Sequence, residues 1–517
     1  MRRFAPLSYQ DIFARCDKNF MIAADFMLPV NIGGHSTYQD TFVTEFLKLY
    51  PNPYVIPKST WDIIVKFWYL DLSETDTIMA PFYPSSGKPA SRFPSALLRS
   101  YLLSIALQIP SITKWCELLR ITPLYAILSG FPVDDTPGVG TFYDFFNRLW
   151  QSDKNNYINQ IKYKKVKPKK GKKTGDKTPC NTNSAASKLL PFLQRFQLPN
   201  TNPFYLIFRL YKEQFLDTSI SKGLISPSNL SLAGDGSPVV TARMERSKRI
   251  CNCPKGSSCN CKRKFSQPDC SWGWDSSREK YFYGYHLYMF VAADSENDLP
   301  VFPMLERASR HDMLSFLHTF FSMKSYLSEF TIEKLFLDAA HDAYPVYDYC
   351  VTNNITPFID LNSGNKGNFK YKDSFTIDAD GVPICQMGLR MRHDGVEKSR
   401  HRAKFRCPLA SRKNGCTCEK PCSDSKYGRT VHLLQKDNPR FFCIPPRDSK
   451  EWKSEYNKRT SVERSNKREK IDYKLEDGRH RSSKMWYCRL YAIMMLQHLD
   501  AWKMPTYIDV IFAFSQH

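Results

Sequence analysis

Between Leu230 and Leu361 the residue pattern changes period in an order that few folds accommodate. Leu230-Ser-Leu-Ala-Gly-Asp235-Gly-Ser-Pro reads as a strand that ends in a turn, and Tyr281 to Ala293 is an aromatic and β-branched run suited to a central strand. Pro300 to Leu305 supplies a third strand, paired back across Asp298. The spacing then becomes helical over Met313 to Phe330, extended over Lys334 to Asp338, helical over Ala343 to Asn353 and extended over Ile355 to Leu361. Three antiparallel strands followed by strand, helix and strand predict an α/β fold with a mixed sheet flanked by helices.

The rest of the chain is organised differently. A length of 517 residues exceeds one compact core and suggests about three domains. The first 150 residues read as helical. Leu97 to Ile109 has helical spacing that ends at Pro110, Ser111 can cap a helix over Ile112 to Arg120, and Thr141 can start one ending at Trp150. Residues 162–177 hold nine lysines and one acid, Asp176, so they predict an arm that cannot bury itself. It is a solvated spacer or a phosphate contact, with Lys164, Lys165, Lys169 and Lys170 as candidate DNA-binding residues. Residues 363–446 are irregular and rich in Gly, Lys and Cys, which reads as an insertion, and the last 70 residues return to helix.

Charge restricts the partners. Lys plus Arg is 74 against 51 for Asp plus Glu, a net +23, which favours nucleic acid first and an anionic surface second. The most apolar helical stretches are interrupted by polar residues and fall short of the ~20 residues a membrane span needs. Charges from Asp11 to Lys18 break up any leader-like core, so a cytoplasmic chain is expected.

Ten of the 16 cysteines fall in two groups. Cys251, Cys253, Cys259 and Cys261 precede Cys270; Cys407, Cys416, Cys418 and Cys422 precede Cys443. In a reducing compartment such spacing reads either as structural zinc or as unliganded thiols. Arg246, Lys248, Arg249, Lys262, Arg263 and Lys264 surround the first group, and Arg402, Lys404 and Arg406 precede the second. Each group is therefore a metal-stapled knob on DNA or a stabiliser of a long loop. Trp272 and Trp274 are expected to pack on the sheet, with stacking on unpaired bases the alternative.

Asp235 and Asp338 each follow a strand, where sites of α/β sheets usually form. Asp342 and Asp348 are alternatives to Asp338. Tyr456, Arg459, Glu463 and Lys470 lie in a polar segment without Gly or Pro. Ideal helical rotation brings them within about 60° of one another along a ~20 Å stripe. A solvated, salt-bridged helix would show the same pattern.

That spacing, Tyr-x2-Arg-x3-Glu-x6-Lys, resembles the third catalytic motif of bacterial insertion-sequence DDE transposases. Ala233-Gly-Asp-Gly-Ser and Phe336-Leu-Asp-Ala-Ala-His-Asp-Ala-Tyr344 resemble the first two motifs, and Ser309-Arg-His-Asp312 also looks like a family feature. The resemblance covers residues 90–150 and 228–505. It implies an RNase H-like catalytic domain in which Asp235, Asp338 and Glu463 hold two Mg²⁺ or Mn²⁺ ions. Tyr456, Arg459 and Lys470 would then contact the phosphates of the transposon end.

Domain limits follow from this reading. Residues 1–155 would be a helical DNA-binding domain and 156–227 a basic linker with connecting helices. Residues 228–362 would form the first part of the catalytic domain, with a Cys-rich loop at 246–275. Residues 363–446 would be the insertion, and 447–517 the C-terminal helices of the catalytic domain. The implied partners are double-stranded DNA, as transposon ends and target, and a second copy of the chain in the DNA complex at the nucleoid. The alternative is a transposase-derived, zinc-stabilised DNA-binding protein without catalysis. An RNA-directed nuclease lacks any RNA-binding signature.

Overall fold

The computed structural model describes residues 34–84, 89–158, 185–195, 202–241 and 269–515, apart from 277, 363–367, 373–374, 412–414, 420 and 426, together with a few positions between 248 and 267. Five main strands form the central sheet: β1 (Leu230–Val240), β2 (Lys280–Ala292), β3 (Leu299–Arg307), β4 (Ile332–Leu337) and β5 (Thr356–Ile359). Their order is β3-β2-β1-β4-β5. β2 runs antiparallel to both of its neighbours, β1 and β3, and β4 and β5 run parallel to β1. A short strand, Ser271–Asp275, pairs with the start of β2 on the side away from β1.

Pleating assigns residues to two faces. Asp235 lies opposite Met289, and Gly236 opposite Tyr288, so they and their same-parity neighbours point to opposite sides. The Tyr288 and Phe290 face is covered by the helix Asp312–Tyr326, whose Phe316 and Phe320 rings each lie 6.1 Å from Phe290. On the other face Trp486 approaches Tyr285, with ring centroids 6.3 Å apart. Trp486 belongs to the helix Ser483–Ala501, in which every residue from Ser483 to Leu499 is buried. A helix apolar on all sides must be enclosed; this one lies between the sheet and the N-terminal helices.

The N-terminal region contains the helices His35–Leu49, Lys58–Tyr69, Ser73–Met79, Pro94–Ala106, Ile112–Ile121, Pro123–Ser129 and Val139–Leu149. Ser111 caps its helix as its sequence predicts, accepting from the Lys114 N–H. The next prediction starts two residues late, because Gly138 rather than Thr141 occupies the N-cap. At the other end of the chain, the helix Tyr507–Phe514 leaves the sheet region and closes this bundle. Its Phe514 makes ring contacts with Phe42, Phe46, Trp61 and Trp68. One continuous apolar cluster therefore runs from Phe42 to Phe514, with no break at residue 155.

The insertion is strand-rich. Phe369–Tyr371, Phe375–Ile377 and Pro383–Ile384 form one small sheet, and Arg392–Glu397, Arg402–Arg406 and Thr430–Leu434 another. It has its own apolar cluster around Ile377, Phe405 and Leu433. No helix among the described residues is long and apolar enough to cross a membrane.

Candidate active site

The parallel register pairs Ala233 with Phe336, so two residues further on Asp235 and Asp338 stand side by side on one sheet face. The backbone of Asp338 is still extended there, and its side chain caps the short turn Ala339–His341 by accepting from the Ala340 N–H at 3.0 Å. Asp235 accepts from the Gly236 N–H at 2.8 Å. Burial, then the charge of Asp338, push the Asp235 carboxyl up to about 6. Burial also works against ionised Asp338, yet the His341 hydrogen bond and charge overcome it and hold that carboxyl below its ordinary range. Two adjacent carboxylates with unequal proton affinities form a site that a cation would relieve.

Buried neighbours fix this pair. His341 Nδ1 lies 2.5 Å from Asp338 Oδ1, and its Nε2 lies 2.9 Å from the Tyr288 hydroxyl. Both the His341 ring and the Tyr288 side chain are fully buried. Beside Gly236, on the sheet face opposite to Asp235, His286 Nε2 lies 2.9 Å from Asp312 Oδ1. A Cβ on Gly236 would come within 2.3 Å of both atoms, so glycine is required for this close approach. Asp312 adds a third carboxylate to the field at Asp235, and His286 holds its pKa below the ordinary value against burial. Sequence reading noted Asp312 but missed His286 and His341. His341 carried one local signal, its position three residues after Asp338; His286 is revealed only by strand register.

The segment bearing the four-residue signature is helical throughout but not one α-helix. It runs as Lys450–Tyr456, a 3₁₀ turn Asn457–Arg459, an α-helix Thr460–Lys467 and a π turn Arg468–Asp472. The 3₁₀ turn sits against β1 and β4, and the Thr460–Lys467 helix packs across β1 and β2 through buried Val462. Tyr456 stacks on Trp452 at 4.7 Å, and burial, with Arg459 opposing, pushes its hydroxyl up to about 12. The charges of Asp338 on Tyr456 and of Asp235 on Arg459 place both side chains in the field of the acid pair. Glu463, half exposed, accepts from Arg459 at 2.7 Å.

Lys470 departs from the expected stripe. The π turn widens the helix and changes its phase, and Lys470 Nζ donates to the Pro238 carbonyl on β1 at 2.6 Å. Like Tyr456 and Arg459 it is half-buried, but its Nζ is held at β1. The alternative acids also have other places. Asp342 is fully buried and bound by Arg440, whose Nε and Nη2 donate at 2.7 and 2.6 Å, and Asp348 is exposed on its helix.

The cysteines do not converge where they are described. Cys407 is buried, Cys418 and Cys422 are half-buried, and Cys253 is exposed. Cys251, Cys259 and Cys261 lie outside the described residues, as does the side chain of Cys416. Burial raises the thiols of Cys270, to about 12, and Cys443. Among the described residues no three His, Cys, Asp or Glu side chains are arranged to hold a metal ion. The cations before Cys407 are engaged within the insertion: Arg402 with Glu397, and Lys404 and Arg406 with Asp394. Their ion pairs, rather than a bare basic surface, occupy this stretch.

The lysine arm, with Lys164, Lys165, Lys169 and Lys170, lies outside the described residues. Trp272 and Trp274 pack edge to face on Tyr283 and Tyr281 of β2, as expected, with ring centroids 5.6 and 4.9 Å apart, yet stay partly open to solvent. They alternate on the edge strand Ser271–Asp275 and are 44% and 54% exposed, beside Tyr281 at 71%. Compared with known proteins, the sequence matches no family model and no curated relative.

Proposed function

We propose that this chain is a DDE transposase, which binds the ends of its element and cleaves and joins DNA at a carboxylate site on an RNase H-like sheet. The observation that carries the reading is the pair Asp235 and Asp338, side by side on adjacent parallel strands, with the Asp235 carboxyl pushed up to about 6 by burial and its neighbour's charge. The strand order β3-β2-β1-β4-β5, antiparallel for three and parallel for two, supports an RNase H-like arrangement.

The donor set suits a hard divalent ion, which prefers carboxylate oxygens. Asp235 and Asp338 would hold Mg²⁺ or Mn²⁺, with Glu463 as the third acid. When bound, the ions supply activation of a water or 3′-hydroxyl and stabilise the leaving oxyanion. The protein's own groups do the rest. His341 orients Asp338, and the Gly236 amide orients Asp235. Arg459, with a charge fixed at any working pH, is placed to bind a phosphate, and the Tyr456 hydroxyl stays protonated and can donate. Exposed Trp272 and Trp274 offer faces on which unpaired bases can stack.

A second reading, a DNA-binding derivative without catalysis, draws on Glu463 being turned to Arg459. A cleavage assay separates the two, using duplex DNA from the flanks of the reading frame with Mg²⁺ or Mn²⁺. The transposase reading expects strand cleavage by the wild type, loss of at least about a thousandfold in Asp338→Ala, and duplex binding retained. Binding without metal-dependent cleavage by the wild type would favour the second reading.

A further inference from the structure

A cavity of about 820 Å³ lies between the N-terminal helices and the loop that follows the signature segment. It contains three cations, Arg479, Arg481 and Lys484, against one acid, Asp477. Lys484 is only 8% exposed, and its Nζ donates to the side-chain carbonyls of Asn147 and Asn155. Both partners are neutral, and among the described residues no carboxylate pairs with it. A buried charge without a counter-charge is costly. Arg479 and Arg481 are exposed and likewise form no ion pair among the described residues. Two helices also start here, after Ser111 and Ser482, and the positive ends of their dipoles add to a field that attracts anions.

The cavity is tied to the acid pair. Glu476, three residues before Arg479, accepts from the Val240 N–H at 2.9 Å. Val240 lies five residues beyond Asp235 on β1, or ~17 Å along the strand. We propose that this cavity is a backbone-docking site, in which Lys484, Arg479 and Arg481 receive a phosphate of duplex DNA whose neighbouring segment lies at Asp235 and Asp338. The inference rests on the transposase reading and adds to it the surface that fixes the duplex between the helical region and the sheet.

The test measures binding of the full-length chain to a fluorescent duplex from the flanks of the reading frame, between about 50 and 200 mM salt. Arg479→Gln with Arg481→Gln should weaken binding about tenfold at fixed salt and make the plot of log K against log salt shallower by about 2. Thr113→Glu sets a carboxylate on the opposite wall and, at a helix N-terminus, does not endanger the fold; it should weaken binding several-fold. Unchanged affinity and slope in both variants, while the wild type binds duplex, would overturn the docking site and leave the transposase reading standing. A wild type that binds no duplex would remove both.

Discussion

The acid end of the sheet and the cysteine-bearing insertion both carry many potential metal donors, and they are built in opposite ways. At the sheet, Asp235, His286, Asp312, Asp338 and His341 are scattered over more than a hundred positions, yet register and packing bring them together. In the insertion, Cys407, Cys418 and Cys422 are close in sequence, but one is buried while the others sit half-buried. Parallel strands and a covering helix position side chains within narrow limits, whereas loops joined by two-residue strands do not.

The largest effect is expected at the seam between these regions. Arg440→Ala would leave Asp342 buried and unpaired, and should cost about 3–5 kcal/mol in denaturant unfolding. A double Arg440→Ala, Asp342→Ala variant should recover part of that loss. Recovery near zero would mean that the insertion is not held to the sheet through this pair. Next, Gly236→Ala should destabilise by about 1–3 kcal/mol and reduce cleavage more than binding, because the new methyl meets His286 and Asp312.

Asp235→Asn should have the opposite sign for stability. The folded pKa is raised to about 6, so this group's contribution is full below the unfolded value near 4 and is lost as pH rises through 6. Metal-free Asp235→Asn should then be more stable than wild type near neutral pH by about 2–3 kcal/mol, with the difference vanishing toward about pH 4. A pH-independent difference would contradict the charge repulsion assigned to this pair. The smallest effect is expected for Cys418→Ser with Cys422→Ser: a change within about 0.5 kcal/mol and unaltered cleavage. A stoichiometric zinc lost together with a marked fall in Tm would erase the contrast between the two regions.

Much of the sheet was legible in the sequence. The runs at Leu230, Tyr281, Pro300, Lys334 and Ile355 each fall on a strand, because β-branched and aromatic residues bounded by turns carry a strong local signal. Asp338 follows its strand as expected, whereas Asp235 sits in the middle of β1, which continues to Val240 without the turn expected at Gly236–Pro238. Lys470 was misplaced because a π turn is a backbone irregularity that ideal helical rotation does not contain. Trp272 and Trp274 pack on Tyr283 and Tyr281 as expected, while remaining 44% and 54% exposed. His286 reaches the site through strand register, which no spacing rule records, whereas His341 does so through a local turn three residues after Asp338.

The most direct test of the acid pair is calorimetric titration of Mn²⁺ into the full-length protein at about pH 5 and about pH 7.5, for wild type and for Asp235→Asn with Asp338→Asn. The account predicts Mn²⁺ binding to the wild type, tighter at the higher pH and accompanied by proton release, and no such binding to the double variant. Equal Mn²⁺ affinity in the two proteins would contradict it.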